Sequence, residues 1–354
     1  MGQVRIGTSG WNYPSGRGTW NGVFYPRVRR KGFDELSYYA EHFDTVEVNT
    51  TFYGQPRADV CRTWVDRTPA GFEFSVKLYQ KFTHPGMFKQ ALARSLEKGS
   101  GVVSAARQRE TTPTARQPET TPDPFFDAVA RPNQADLDSF RSGIEPLAAS
   151  GKLGALLAQF PASFKDTAPS REHVAQLLRA FADYPLAVEL RHRSWSDSVA
   201  GTLAMLHEAG AAWVQIDEPK FRFSIRQNFL PNVRGFYYMR LHGRNAEAWW
   251  RHDAPEDRYD YLYSADELKE FSETADAAKA LVKKLYLYTN NHFSAKSVAN
   301  AVMIKKQLGE PIEGEYGDEF VERYPELAGD VTRARTSSES HPLFEGVRER
   351  QPLK

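Results

Sequence analysis

The sequence holds a single cysteine, Cys61, in 354 residues. One thiol excludes an internal disulfide and any zinc site built from several cysteines. No apolar run approaches the roughly 18–20 residues that span a bilayer. The opening residues, MGQVRIGTSGW, pass straight into strand-like sequence with no leader pattern. A cytoplasmic protein with no membrane partner is expected. Charge of one sign is not in excess either: 46 Lys and Arg against 45 Asp and Glu leave a net charge of +1. No global field steers a charged partner, so nucleic-acid binding would need a local basic patch. No G-x-G-x-x-G follows the first strand and no P-loop occurs, which takes away the main support for a nucleotide fold.

Aromatic residues are plentiful, at 13% with seven tryptophans, enough to fill a large core. Strand-like stretches recur at Val4–Ser9, Thr45–Tyr53, Phe72–Tyr79, Leu153–Phe160, Leu186–Arg191, Ala212–Asp217, Phe236–His242 and Leu285–Asn290. Helical spacing falls between most of them: Gly32–Phe43, Asp59–Arg67, Ala135–Ser150, Arg171–Tyr184 with Ser170 as N-cap, Asp197–Ala209, Ala265–Lys283 and Ala295–Leu308. Strands alternating with helices argue for an α/β fold, a closed (β/α)8 TIM barrel, over an open sheet. Residues 98–133 break the pattern. They are rich in Thr, Pro, Arg and Gln, carry the near-duplicates RQRETTP and RQPETTP, and read as a flexible low-complexity insertion after strand three. One barrel domain over residues 1–328 and a polar tail over 329–354 are expected.

Within a barrel, alternate residues of each strand face the axis. One parity here is polar, mostly late in the strands: Glu47, Asn49 and Tyr53; Lys77; Glu189 and Arg191; Asp217; Arg240 and His242; Asn290. Parallel strands buried on both faces normally read as aliphatic runs, and the late-strand end is where barrel active sites lie. A ligand site at that mouth is therefore expected, against the alternative of a salt-bridge lattice filling the barrel. Glu189, Asp217, Glu47 and His242 are the candidate catalytic groups. Lys77, Arg191 and Arg240 are candidates to clamp an anion. Asn290 and Asn291 are candidates to orient it, and Trp11, Trp195 and Tyr53 to stack on a ring. Three chemistries stay open. The carboxylates, with His242 and His292, could hold a divalent metal for phosphoester hydrolysis. Glu189 beside Arg191 could act as a metal-free base. The run Arg27, Arg29, Arg30 and Lys31, after Phe24 and Tyr25, could bind nucleic acid without catalysis. The identity of any cofactor stays unknown at this stage, and the expected partner is an anionic small molecule or nucleic acid.

Several stretches together resemble the domain-of-unknown-function 72 family, also called YecE-like: GTSGWNY at Gly7–Tyr13, WNGVFYP at Trp20–Pro26, TVEVNTTFY at Thr45–Tyr53, FSVKLYQKFTH at Phe74–His84, LLAQFPASF at Leu156–Phe164, VELRHRSW at Val188–Trp195, YMRLHGRN at Tyr238–Asn245 and YTNNHF at Tyr288–Phe293. The resemblance runs in register from about Gly7 to Leu308 and implies a TIM barrel. It implies no established activity. A nucleic-acid role has been proposed for the family because its barrel is similar to those of endonuclease IV and xylose isomerase. Together with the residues above, it makes a hydrolase on a phosphorylated or nucleic-acid-like substrate the first expectation, and a non-catalytic nucleic-acid binder the alternative. The chain departs from the family pattern in its longer insertion and in YTNN, where Thr289 replaces the more usual aromatic residue.

Overall fold

The computed structural model describes residues 2–99, 128–227, 235–250 and 254–334. Most of the expected insertion, residues 100–127, and most of the expected tail, residues 335–354, lie outside the described residues. The barrel strands are β1 (Gln3–Ser9), β2 (Thr45–Val48), β3 (Glu73–Lys77), β4 (Leu153–Gln159), β5 (Leu186–Glu189), β6 (Ala212–Trp213), β7 (Gln215–Asp217), β8 (Phe236–Leu241) and β9 (Lys284–Thr289). They form one parallel sheet in the order β6-β5-β4-β3-β2-β1-β9-β8-β7. Its two ends, β6 and β7, are halves of one strand interrupted at Val214. β6 pairs with β5 and β7 with β8, while the Val214 amide still donates to Val188 O at 2.9 Å. The sheet thus closes on itself through a broken strand, giving the eight positions of a TIM barrel.

Register sets which side chains meet on the axis, because residues side by side in a parallel ladder share a face. Ser9 lies beside Glu47, Glu47 beside Ser75, Gln159 beside Glu189, and Arg240 beside Tyr288. All of these point inward. Ile216 pairs with Arg240, whereas Gln215 and Asp217 pair with Met239 and Leu241. Asp217 therefore points out toward the helices, the reverse of the parity read from sequence.

Several expected boundaries move. The second strand stops at Val48, and Thr50–Tyr53 turns into a short helix, so Asn49 and Tyr53 leave the strand. The fifth strand ends at Glu189, which puts Arg191 on the loop beyond it. The helix expected at Arg171–Tyr184 runs Ala168–Ala180 and is capped by Thr167, not Ser170. A proline in the first helical turn costs no hydrogen bond, so Pro169 lets the helix begin early. The helix expected at Asp197–Ala209 runs Val199–Glu208, and a separate short helix, Arg193–Asp197, precedes it. Thr332–Arg333 (β11) pairs in parallel with Glu315–Tyr316 (β10) outside the barrel. The helix Ala265–Lys279 opens on a capping box between Ser264 and Glu267. Ser264→Ala should lower stability by about 1 kcal/mol in urea unfolding; an unchanged midpoint would show that the cap contributes nothing. Among the described residues no helix is long and apolar enough to cross a membrane.

Candidate functional site at the barrel mouth

The barrel interior is filled in layers. At the N-terminal end Glu73 accepts from Lys284 at 2.8 Å and Tyr286 at 2.5 Å, and pairs with Arg5 at 3.1 Å. Above it, Tyr288 bonds Thr45 at 2.6 Å and Ser75 at 2.9 Å. The next layer is a buried charge network centred on Arg240, which is 1% exposed. Its guanidinium reaches Glu47 through Nε at 2.8 Å and Nη2 at 2.6 Å, and Glu189 through Nη1 at 2.5 Å. Ser9 and Tyr238 donate the remaining bonds to Glu47, each at 2.8 Å. Glu189 also accepts from Arg191 Nε at 2.8 Å. Both carboxylates are thus saturated by strong, charge-assisted donors.

His242 completes this layer, with Nε2 3.0 Å from Arg191 Nη2 and Nδ1 2.9 Å from the Asn290 amide. An arginine only donates, so Nε2 accepts and the ring proton sits on Nδ1. That assignment requires the Asn290 amide to turn its oxygen toward the ring. Burial, reinforced by Arg191, lowers the His242 pKa to about 3, so the imidazole is neutral. Burial alone would raise the carboxyl of Glu189, but Arg240 and Arg191 outweigh it and hold that carboxyl well below its usual range. Glu218, 3.5 Å from Arg191 Nε, is displaced the other way by burial, with Glu189 adding to the effect against Arg191.

Over this layer lies a cavity of about 310 Å³. Lys77, Arg191, Arg240, Asn49, Asn290 and Gln159 supply its polar lining, and Trp11, Tyr13, Tyr53, Tyr259 and His292 its rings. Tyr13 stacks on His292 at 4.3 Å, and Tyr259 meets the His292 ring at 4.7 Å, tilted by 37°. Among the described residues no Asp or Glu lines the cavity: Glu47, Glu189 and Glu218 sit behind the guanidinium groups. Lys77 is partly exposed here. Its ammonium lies 4.3 Å over the ring of Phe52 and makes no ion pair among the described residues. Burial, with Arg240 acting in the same direction, brings its pKa down to about 7.

The structure brings together Lys77, Arg191, Arg240, Asn49, Asn290, Tyr53 and Trp11 around one cavity. It places Glu47, Glu189 and His242 directly beneath, as the network that holds the arginines. Three expected site residues lie elsewhere. Asp217 is bound by Arg244 at 2.7 and 3.1 Å and by Tyr263 at 2.7 Å, between the sheet and the helix Ala265–Lys279. Trp195 is fully buried, donating to Phe164 O at 2.8 Å and stacking on that ring. Asn291 is spent on Tyr261 O and Asn300, each at 2.7 Å. The aromatic half of the basic run is core as well: Phe24 and Tyr25 are 2% and 1% exposed, and Arg29 pairs with Glu35 at 2.7 Å. Those rings are closed to a nucleic-acid base. Sequence reasoning missed Tyr13, Tyr259 and Glu218. Tyr13 sits in a loop and Tyr259 ends the short 3-10 helix Pro255–Tyr259, where strand parity says nothing, and Glu218 follows a strand whose parity was inverted. Among the described residues no three His, Cys, Asp or Glu side chains converge to hold a metal.

With this geometry in place, the comparisons decide the kinship. The family described as "Protein of unknown function DUF72" matches residues 5–320. The chain belongs to this family. UPF0759 protein YunF of Bacillus subtilis (strain 168) is 25% identical over 324 residues, covering 88% of this chain and 96% of that one. UPF0759 protein YecE of Escherichia coli (strain K12) is 37% identical over 60 residues, which is 17% of this chain and 22% of that protein. The crystal structure of a DUF72 protein from Thermotoga maritima MSB8 superposes with a TM-score of 0.65 at 32% identity, covering 87% of this chain and all of that one. A second, from Enterococcus faecalis V583, gives 0.65 at 23% identity over 88% of this chain and shares the fold. The family description assigns no activity to DUF72 proteins.

Proposed function

We propose that this DUF72 protein is an enzyme acting on a small compound that carries an oxyanion, a phosphorylated compound foremost, bound at the barrel mouth. One observation carries the reading: the cavity is lined by cations and amides, with every nearby carboxylate turned away behind them. Arg191 is the anchor. Among the described residues only its Nε and one Nη are engaged, and a guanidinium offers five N–H donors. The volume suits a small molecule rather than a strand of nucleic acid. Hydrolysis assisted by Glu47, Glu189 or Asp217 is not favoured, because each of these carboxylates is committed to an arginine. Lys77 is the group inside the cavity able to move a proton near neutral pH. Titration with orthophosphate and ribose 5-phosphate at low ionic strength tests the reading. Arg191→Ala should weaken both by about tenfold or more, the value of a charge-assisted bond. Absence of binding to the natural protein, or equal binding by the variant, would contradict it.

A further inference from the structure

Lys77 does nothing for the fold that explains its place. It ends β3 in a barrel where Arg191 and Arg240 each have a carboxylate partner; among the described residues Lys77 has none, and its amine sits in the cavity against the Phe52 ring. An amine held against a ring and beside other cations, with no carboxylate to hold its charge, has the surroundings of a lysine that attacks carbonyl carbon. We propose that Lys77 captures an aldehyde or ketone as an imine, and that the compound carrying this carbonyl also carries the oxyanion held by Arg191. The inference rests on the anion-site reading above and narrows its substrate class to oxo compounds.

The step balances without a co-reactant. The amine lone pair attacks the carbonyl carbon, the nitrogen gives up its protons to the departing oxygen, the C–O bond breaks, and water leaves as the C=N bond forms. The attacking amine must be neutral; burial first, then Arg240 and Arg191 against Glu189 and Glu47, bring its pKa down to about 7, so about half of it is neutral at that pH. His84, whose own pKa is lowered to about 3 by burial, adds no charge there. The neighbouring His242 and His292 are themselves neutral.

Borohydride trapping of the full chain tests the proposal, read by intact mass and peptide mapping. The probes are dihydroxyacetone phosphate, pyruvate and uncharged dihydroxyacetone. The first two separate a phosphate-bearing from a carboxylate-bearing substrate. The expected result is a reduced adduct on Lys77, about tenfold more abundant with a charged probe than with the neutral one. Lys77→Met should lose it while keeping its circular dichroism and urea midpoint. Labelling should rise with pH through about 7, where the Lys77 amine loses its proton. Arg191→Ala should still label with dihydroxyacetone but lose the preference for charge. No adduct with any probe, or an adduct as abundant in Lys77→Met, overturns the imine. An adduct on Lys77 with no preference for charged probes overturns the anion site and leaves the amine chemistry standing.

Discussion

Arg240→Met should be the most damaging single substitution in the barrel, lowering stability by at least about 3–5 kcal/mol, since removing one partner strands buried charge. The side chain is 1% exposed, and its guanidinium is the shared partner of Glu47 and Glu189, both fully buried. Without it Glu47 keeps Ser9 and Tyr238, while Glu189 keeps Arg191 alone among its cations. Two buried carboxylates are then left with one cation, Arg191, which bonds Glu189. Urea unfolding followed by tryptophan fluorescence measures the loss. Adding Glu47→Gln to Arg240→Met should restore part of it, because a neutral amide does not need the guanidinium. A single variant within about 1 kcal/mol of the natural protein would show that the network is replaceable packing.

Acid should unfold the protein well before its carboxylates titrate. His84, His242 and His292 are each held neutral in the fold by burial, with pKa values lowered to about 3. In the unfolded chain they take up protons near pH 6.5. Below that pH the unfolded state binds more protons than the folded state, so stability falls as pH falls. Between pH 7 and pH 5 three such histidines remove on the order of 5 kcal/mol, comparable with the whole stability of a small domain. His42 is lowered in the same direction, whereas Glu218 and Asp44, whose pKa values are raised, oppose it at lower pH. Glu189 extends the loss. Its carboxyl is held well below its usual range, so its stabilisation is present above an ordinary carboxyl pKa and fades as pH drops beneath it. Urea midpoints at pH 7 and pH 5 check this, with imidazole NMR shifts reporting the neutral form. A midpoint that does not move, or rings already protonated at pH 5, would count against buried neutral histidines.

The barrel was legible because its strands differ from its helices in period, and because inward polar residues such as Glu47, Glu189 and Arg240 are costly to bury without a purpose. What periodicity could not reveal was where each strand stops. Asn49 and Tyr53 continue the β-branched run of β2, yet the chain coils at Thr50, and Thr51 instead donates to the carbonyl of Lys77 at 2.6 Å. Nor does a polar residue in a strand have to face the axis. Gln215 accepts from Tyr237, and Asp217 finds Arg244 and Tyr263; all of these are partners on the helix side. The break at Val214 removes the local cue to which face is which. Trp195, in the short helix Arg193–Asp197, shows the same ambiguity: an aromatic near a site residue is core as readily as lining. At position 289 the reason for a small residue is visible: Thr289 Oγ1 donates to Ser297 O at 2.8 Å in a fully buried place where an aromatic ring would need room.

The salt-bridge lattice and the proposed site lie one above the other. The carboxylates anchor the guanidinium groups from below, and the cavity receives their outward faces with Lys77 beside them. Anomalous diffraction from crystals soaked in tungstate, a tetrahedral oxyanion like phosphate, tests this arrangement most directly. A peak is expected in the mouth with oxygens in hydrogen-bond reach of Arg191 and Lys77. A mouth without a peak, while surface lysines or arginines bind the ion, would contradict it.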